Sequence, residues 1–420
     1  MNRIKTAAAV GICCAMAITS LAACGSSSSG GKKTVEFMTM QSTGTPQLKA
    51  LQGLGKKFEA NNPGITIKMV PGTNNNENDI KVRLAGHNPP DIWNTHGWSR
   101  DRYSNFLEPL QNRPWAKRLK PIGNDVFKTK DGKFYALPAD IQVSGIMYNQ
   151  TVLDAVGIDP KSIDTWDAFE QACTKLKAAG YTPLISSNKD AGPNGDIADY
   201  MLPGMYDESQ LKDLSNGKFD TAVYEKYTSR VAKWARDGWF NVDYTSASQD
   251  DISRLMAQDK AGFSFRANGS SQLIQSYNPN VKLGMMPVPA EVGKPYFSTG
   301  EDTLTFGVSK TSKNKDAALK FIDFMAEPEN LQKLVDVSMN DSALTGVKSA
   351  LGQFEPTYNY WVNEKKTRLV PFFDRKYLPN GMYNTLAKST DGLLTGQLTA
   401  QAAADQVKTS FNSLYGQKSS

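Results

Sequence analysis

Two polar side chains, Asp140 and Gln142, stand in the stretch GKFYALPADIQVSGIMYN, residues 132–149. Residues 134–137 form a short β-prone run that Pro138 stops, and a second run, 141–148, begins almost at once. A carboxylate and an amide between two buried strands do little for a core, so they mark a cleft where the chain leaves one domain for another. Other hydrogen-bonding and aromatic side chains fall where strand patterns end. Gln41 follows the first strand, Glu77 lies in a polar loop, 74–79, that leads into a short helix, and Asn94, His96 and Trp98 follow residues 89–93. Asn268 follows a strand at 260–265, Glu301 and Asp302 precede one at 304–308, and Asp374 and Arg375 interrupt a helical tail. Trp361 and Tyr383 are further aromatics of that tail. Such groups suit non-covalent recognition: flat apolar faces and paired hydrogen bonds.

Covalent chemistry finds less support. The two histidines, His87 and His96, leave few candidates for a catalytic triad, and GxSxG, HExxH, GxxxxGK[ST] and clustered Cys/His are absent. Glu301 and Asp302 are adjacent and in an extended segment point opposite ways, unlike the carboxylate pair ~5 to 5.5 Å apart in a retaining glycosidase. No cofactor or metal site is expected.

The elements that must position these residues read as an α/β chain. Residues 34–40 alternate as a strand. Thr45 caps a helix with Pro46 first and Leu48, Leu51, Leu54 and Phe58 on one face, and residues 65–70 return as a second strand. This βαβ unit starts a parallel sheet, whose ligands gather at the carboxyl ends of its strands. Trp166, Phe169, Cys173 and Leu176 share the apolar face of a helix capped by Thr165, so Cys173 is a buried thiol. Residues 219–240 are helical, with Trp234 in the core, while Trp239, past the helix end at 238, is undecided between core and sugar platform; Trp93 is core. Residues 281–288 form a strand, Pro287 and Pro289 bound a return across the cleft, and 358–415 are helical around the break at 371–375.

With 420 residues and 40% hydrophobic content, the chain holds two or three domains. Forty-eight basic residues against 42 acidic ones are too even to argue for nucleic acid. Residues 1–23 read as a secretory signal, with basic Arg3 and Lys5 and an apolar stretch too short to span a membrane. Leu21-Ala22-Ala23-Cys24 resembles a bacterial lipobox, which makes Cys24 a lipidated N-terminus, and residues 24–33 are a flexible tether.

Pro138-Ala139-Asp140, Gly145-Ile146-Met147-Tyr148-Asn149 and Leu153 together resemble the signature of the family 1 extracellular solute-binding proteins, with Ala155 departing at its last position. The order of elements is similar over nearly the whole mature chain. The resemblance implies a periplasmic binding protein-like fold: two Rossmann-like lobes joined by a hinge with several interlobe crossings. The first lobe is expected from 34–140 and 296–345, the second from 141–295 and 346–420. It further implies a monomeric, lipid-anchored, extracellular receptor that delivers an oligosaccharide to the permease subunits of an ABC importer. Tyr383, 13 residues before Gly396, lies about where the family keeps a stacking aromatic, and Ser270 replaces the aromatic often found after the glycine at 269. A receptor for a non-sugar solute and a secreted glycosidase are the alternatives.

Overall fold

Alternation in β1 (Lys33–Met38) buries Val35 and Phe37. The computed structural model describes residues 32–416 except 74, 190, 191, 302 and 303; residues 1–23, read as a signal, and Cys24 lie outside them. The Thr45 side chain accepts from the Leu48 N–H and starts the helix Pro46–Asn61, which buries Leu48, Leu51, Leu54 and Phe58. This brings β2 (Ile65–Val70) back parallel to β1. The remaining strands are β3 (Ile92–Asn94), β4 (Ala136–Pro138), β5 (Asp140–Asn149), β6 (Thr182–Leu184), β7 (Ala261–Ala267), β8 (Leu283–Met286), β9 (Tyr296–Glu301), β10 (Thr305–Val308), β11 (Asp341–Ser342) and β12 (Arg368–Pro371).

These strands form two sheets. The first runs β2-β1-β3-β10-β4, and the second runs β12-β9-β5-β7-β6 with β8 and β11 also on β5. One residue, Ala139, separates β4 in the first sheet from β5 in the second. Its N–H donates to the Leu304 carbonyl at 2.9 Å and its carbonyl accepts from the Ala343 N–H at 3.3 Å, so the backbone stays paired as it crosses. Ala139 and Ile141 pack with Phe134, Leu304 and Phe306 in the first core; Val143, Ile146 and Met147 pack in the second. The chain crosses again between β9 of the second sheet and β10 of the first, and a third time at β11.

Three details differ from the sequence reading. β9 pairs antiparallel with β5, so the chain is still in the second sheet at 296–301 and crosses only afterwards. The prolines at 287 and 289 bring no crossing; Val288 and Tyr296 bridge antiparallel, turning the chain back along its own lobe. Residues 368–371 are not helical but a strand parallel to β9, at the sheet edge where Pro371 costs little. Trp239, which the sequence left undecided between core and sugar platform, is core and stacks on Trp234 with ring centroids 6.1 Å apart.

The helix Trp166–Ala178 is as expected, capped by Thr165 with Cys173 buried on its inner face, where burial pushes the thiol pKa well up. Among the described residues no helix is long and apolar enough to cross a membrane.

Candidate ligand-binding crevice

The first-lobe rim is built where β1 and β3 end. Asn94, the last residue of β3, accepts the Met40 N–H at 2.9 Å through Oδ1 and points Nδ2 at the Thr305 carbonyl, 3.4 Å away, locking three strand ends together. The chain then turns through two left-handed residues, His96 at φ 44° and Gly97 at φ 80°. That turn returns the His96 ring to Glu77, in the first turn of the helix Asn76–Ala85, with Nδ1 and Oε1 3.1 Å apart. Arg102 Nη1 donates to the other carboxylate oxygen at 2.8 Å. Burial opposes ionisation of Glu77, but His96 and Arg102 outweigh it and hold the carboxyl at about 2. The Arg102 guanidinium lies 4.0 Å from the Trp98 ring centroid, fixing that indole as a half-buried wall.

Carboxyl groups dominate the opposite rim. The helix Gly192–Met201 places Asp196 and Asp199 three residues apart, hence on neighbouring faces. Asp199 Oδ1 accepts the Asp374 N–H at 2.7 Å, securing the start of the helix Phe373–Tyr377. The Tyr383 hydroxyl is shared between the Gly192 carbonyl and Asp196 Oδ1, at 2.9 and 2.8 Å. Burial raises the pKa of all three acids. For Asp196, Arg266 and the Tyr383 and Tyr200 hydroxyls pull partly back, leaving it at about 6. Asp199 is raised further by the charge of Asp374, whereas Arg375 only partly offsets the burial of Asp374.

The two rims meet. The Arg375 guanidinium sits 4.9 Å from the centroid of Phe372 in its own lobe and 5.6 Å from that of Trp98 in the other. A Cβ at Gly97 would come within 2.1 Å of Arg375 Nη1, so only glycine admits this approach. Arg100 Nη2 donates to the Arg375 carbonyl at 3.1 Å, and Arg102 Nη2 to Asn380 Oδ1 at 3.1 Å. Lys376 pairs with Asp125 at 3.5 Å. Deeper in, Gly97, Thr299, Gly300, Phe372 and Arg375 line a small pocket between the lobes. The crevice thus offers apolar ring faces beside carboxyl, hydroxyl and guanidinium groups, and among the described residues no cluster of His, Cys, Asp or Glu is fit to hold a metal.

The structure divides the candidate residues. Glu77, Asn94 and His96 line one first-lobe pocket; Trp98, Asp374 and Arg375 line one interlobe groove, and Tyr383 braces the acids behind it. Gln41 is nearly buried beside this rim, its carbonyl accepting the Gly72 N–H at 2.9 Å. Gln142 is half-buried in β5, opposite Gly300 of the crevice wall. Glu301 ends β9, and Asp302 lies outside the described residues.

Three candidates are corrected. Asp140 is fully buried and accepts from Asn340 Nδ2 at 2.8 Å, so it braces the hinge and has no surface to offer a guest. Asn268, also buried, ties Val143 N–H (3.4 Å) to the Met339 carbonyl and does the same work. Trp361, in the π-helical turn Asn359–Glu364, packs into the second core against Tyr360. Asp196, Asp199, Phe372, Arg100 and Arg102 were missed. For the first two a signal existed: two acids three apart in GPNGDIADYM, a segment with no basic residue to pair them.

The bacterial extracellular solute-binding protein family matches residues 42–332. The chain is 30% identical over 389 residues to the melibiose/raffinose/stachyose-binding protein of Bacillus subtilis (strain 168), covering 91% of this chain and 88% of that one. A binding protein of B. subtilis crystallised in an open conformation is 29% identical, with a TM-score of 0.82 over 91% of this chain and 98% of the other. A Bacillus licheniformis sugar transporter in complex with stachyose is 28% identical, with a TM-score of 0.77 over 91% of this chain and all of that one.

The acid cluster makes a pH dependence testable. Folding raises Asp196 from 3.8 to about 6, so between those values the folded chain holds a proton that the unfolded chain has lost. Asp196 therefore favours the folded state most below pH ~4, and its contribution is lost as pH rises through about 6. Glu77, lowered from 4.5 to about 2, works the opposite way, its contribution lost as pH falls through that interval. In urea unfolding of the ligand-free protein, Asp196→Asn is expected to flatten the fall in stability between pH 4 and 6. Identical pH profiles for variant and parent would contradict the assignment.

Proposed function

Because this chain belongs to the bacterial extracellular solute-binding proteins, we propose that it captures an oligosaccharide between its two lobes and presents it to an ABC importer, without chemical turnover. The observation that carries this reading is the crevice itself: Arg375 lies between Trp98 of one lobe and Phe372 of the other, and Asp374 lines the interlobe groove with Trp98. A pyranose has one apolar face and a ring of hydroxyls. Rings take the face, and carboxylates and guanidinium groups take the hydroxyls.

Magnitudes agree. Each stacked sugar face buries ~60 to 100 Å² of apolar surface, worth ~2 kcal/mol at ~25 cal/mol/Å². Two such contacts with a few net hydrogen bonds of ~1 kcal/mol reach ~8 kcal/mol, a micromolar affinity. Because the groups are split between lobes, a ligand touches them all only when the lobes are together, so binding shifts the population towards closure. The protein acts as a monomer whose closed shape the permease reads. We further assign residues 1–23 to a signal peptide and Cys24 to a lipid anchor that holds the receptor at the outer face of the cell membrane.

In a thermal-shift panel, melibiose, raffinose or stachyose is expected to raise the melting temperature of the mature protein without releasing new reducing ends. Trp98→Ala or Asp374→Ala should weaken binding about tenfold or more, the equivalent of ~1.4 kcal/mol. Undiminished shifts in both variants, or sugar hydrolysis, would count against the reading. For the anchor, cells fed labelled palmitate should label the parent protein and not Cys24→Ser; equal labelling would refute it.

A further inference from the structure

Beyond the pocket at Gly97 and Thr299, the crevice opens into a groove of about 500 Å³, within the ~300–1,000 Å³ typical of ligand sites. Trp98, Asp374 and Arg375 form its inner end. Its floor and walls come from both lobes: Lys128, Thr129 and Lys130 from the first, and 376–380 with the end of the last helix from the second. At the outer end stands Tyr415, 44% exposed, with one face stacked on Phe411 at 5.6 Å. Gly217 packs close against the edge of this ring, where a Cβ would come within 2.5 Å, so the ring is held in place rather than free in solvent. The crevice residues explain none of this: Tyr415 packs only within its own lobe, yet leaves much of its ring in a groove continuous with Trp98.

We propose that this groove is a chain-extension subsite, in which Tyr415 stacks a sugar unit of an oligosaccharide whose terminal units occupy the crevice beside Trp98. The inference rests on the sugar-binding reading and adds a ligand class to it: oligosaccharides longer than the crevice alone can hold. Three features fit such an occupant. Aromatic walls at both ends suit the repeated apolar faces of a sugar chain, whose stacking is indifferent to the polar groups between. Lys128 and Lys130 carry no ion pair among the described residues and supply donors for hydroxyls along the way. The groove is open to solvent on one side, so ligand length is limited by contacts rather than by a wall.

The test is calorimetric titration of the mature protein with melibiose, raffinose and stachyose. Affinity should rise along the series. Tyr415→Ala should cut the gain of the longest sugar at least fivefold and leave melibiose within twofold. Ser215→Trp, which fills the groove from an exposed position, should do the same while leaving the Tyr415 ring in place. A flat series, or a gain that survives both substitutions while melibiose binds normally, would overturn the subsite alone. Binding of no member would overturn the sugar reading and the subsite with it.

Discussion

A strand that serves two cores at once is the constraint on which the molecule turns. β5 pairs with β7, β8, β9 and β11 over its ten residues, and Ile141 near its start is buried in the core of the first lobe. Crossing between lobes would ordinarily expose unpaired backbone, but Ala139 is held on both sides, by Leu304 and Ala343. Asp140 and Asn268 then fasten the neighbouring 339–340 segment by side-chain bonds. The crossing points can therefore bend as hinges while both cores stay intact, because the polar groups near the bend find their partners locally.

Around that hinge the two rims differ in character. The first lobe presents a charge-balanced chain of contacts, Glu77 to His96 and Arg102, and Arg102 to Trp98. The second presents acids that burial drives towards their neutral forms, with Arg375 beside them. Arg375 connects the two sides by stacking on a ring from each. The same guanidinium thus belongs to the proposed ligand site and to the contact between lobes.

Much of this was legible in the residues. The βαβ start, the caps at Thr45 and Thr165 and the core faces of Cys173 and Trp234 follow local rules of spacing and capping, and they stand. The two-run pattern around Pro138 put the crossing at Asp140, one residue past Ala139, where the strand of the first sheet gives way to that of the second. It could not say what Asp140 does there, since a buried carboxylate that binds a ligand and one that braces a hinge have the same sequence context. The partner that decides, Asn340, is 200 residues away. The acid cluster has the same difficulty: Asp199 and Asp374 meet only because β12, a strand hidden by a terminal proline in a helical-looking tail, carries residue 374 back to the crevice. Trp361 failed for the opposite reason, an aromatic whose spacing gave no sign of the π-helical turn that buries it.

Ligand-driven approach of two hinged lobes is the central physical claim, and small-angle X-ray scattering on the mature protein measures it most directly. Saturating with the tightest-binding sugar should shrink the radius of gyration relative to the sugar-free protein at the same concentration. An identical radius with bound sugar confirmed in the same sample would contradict closure and leave a rigid receptor in its place.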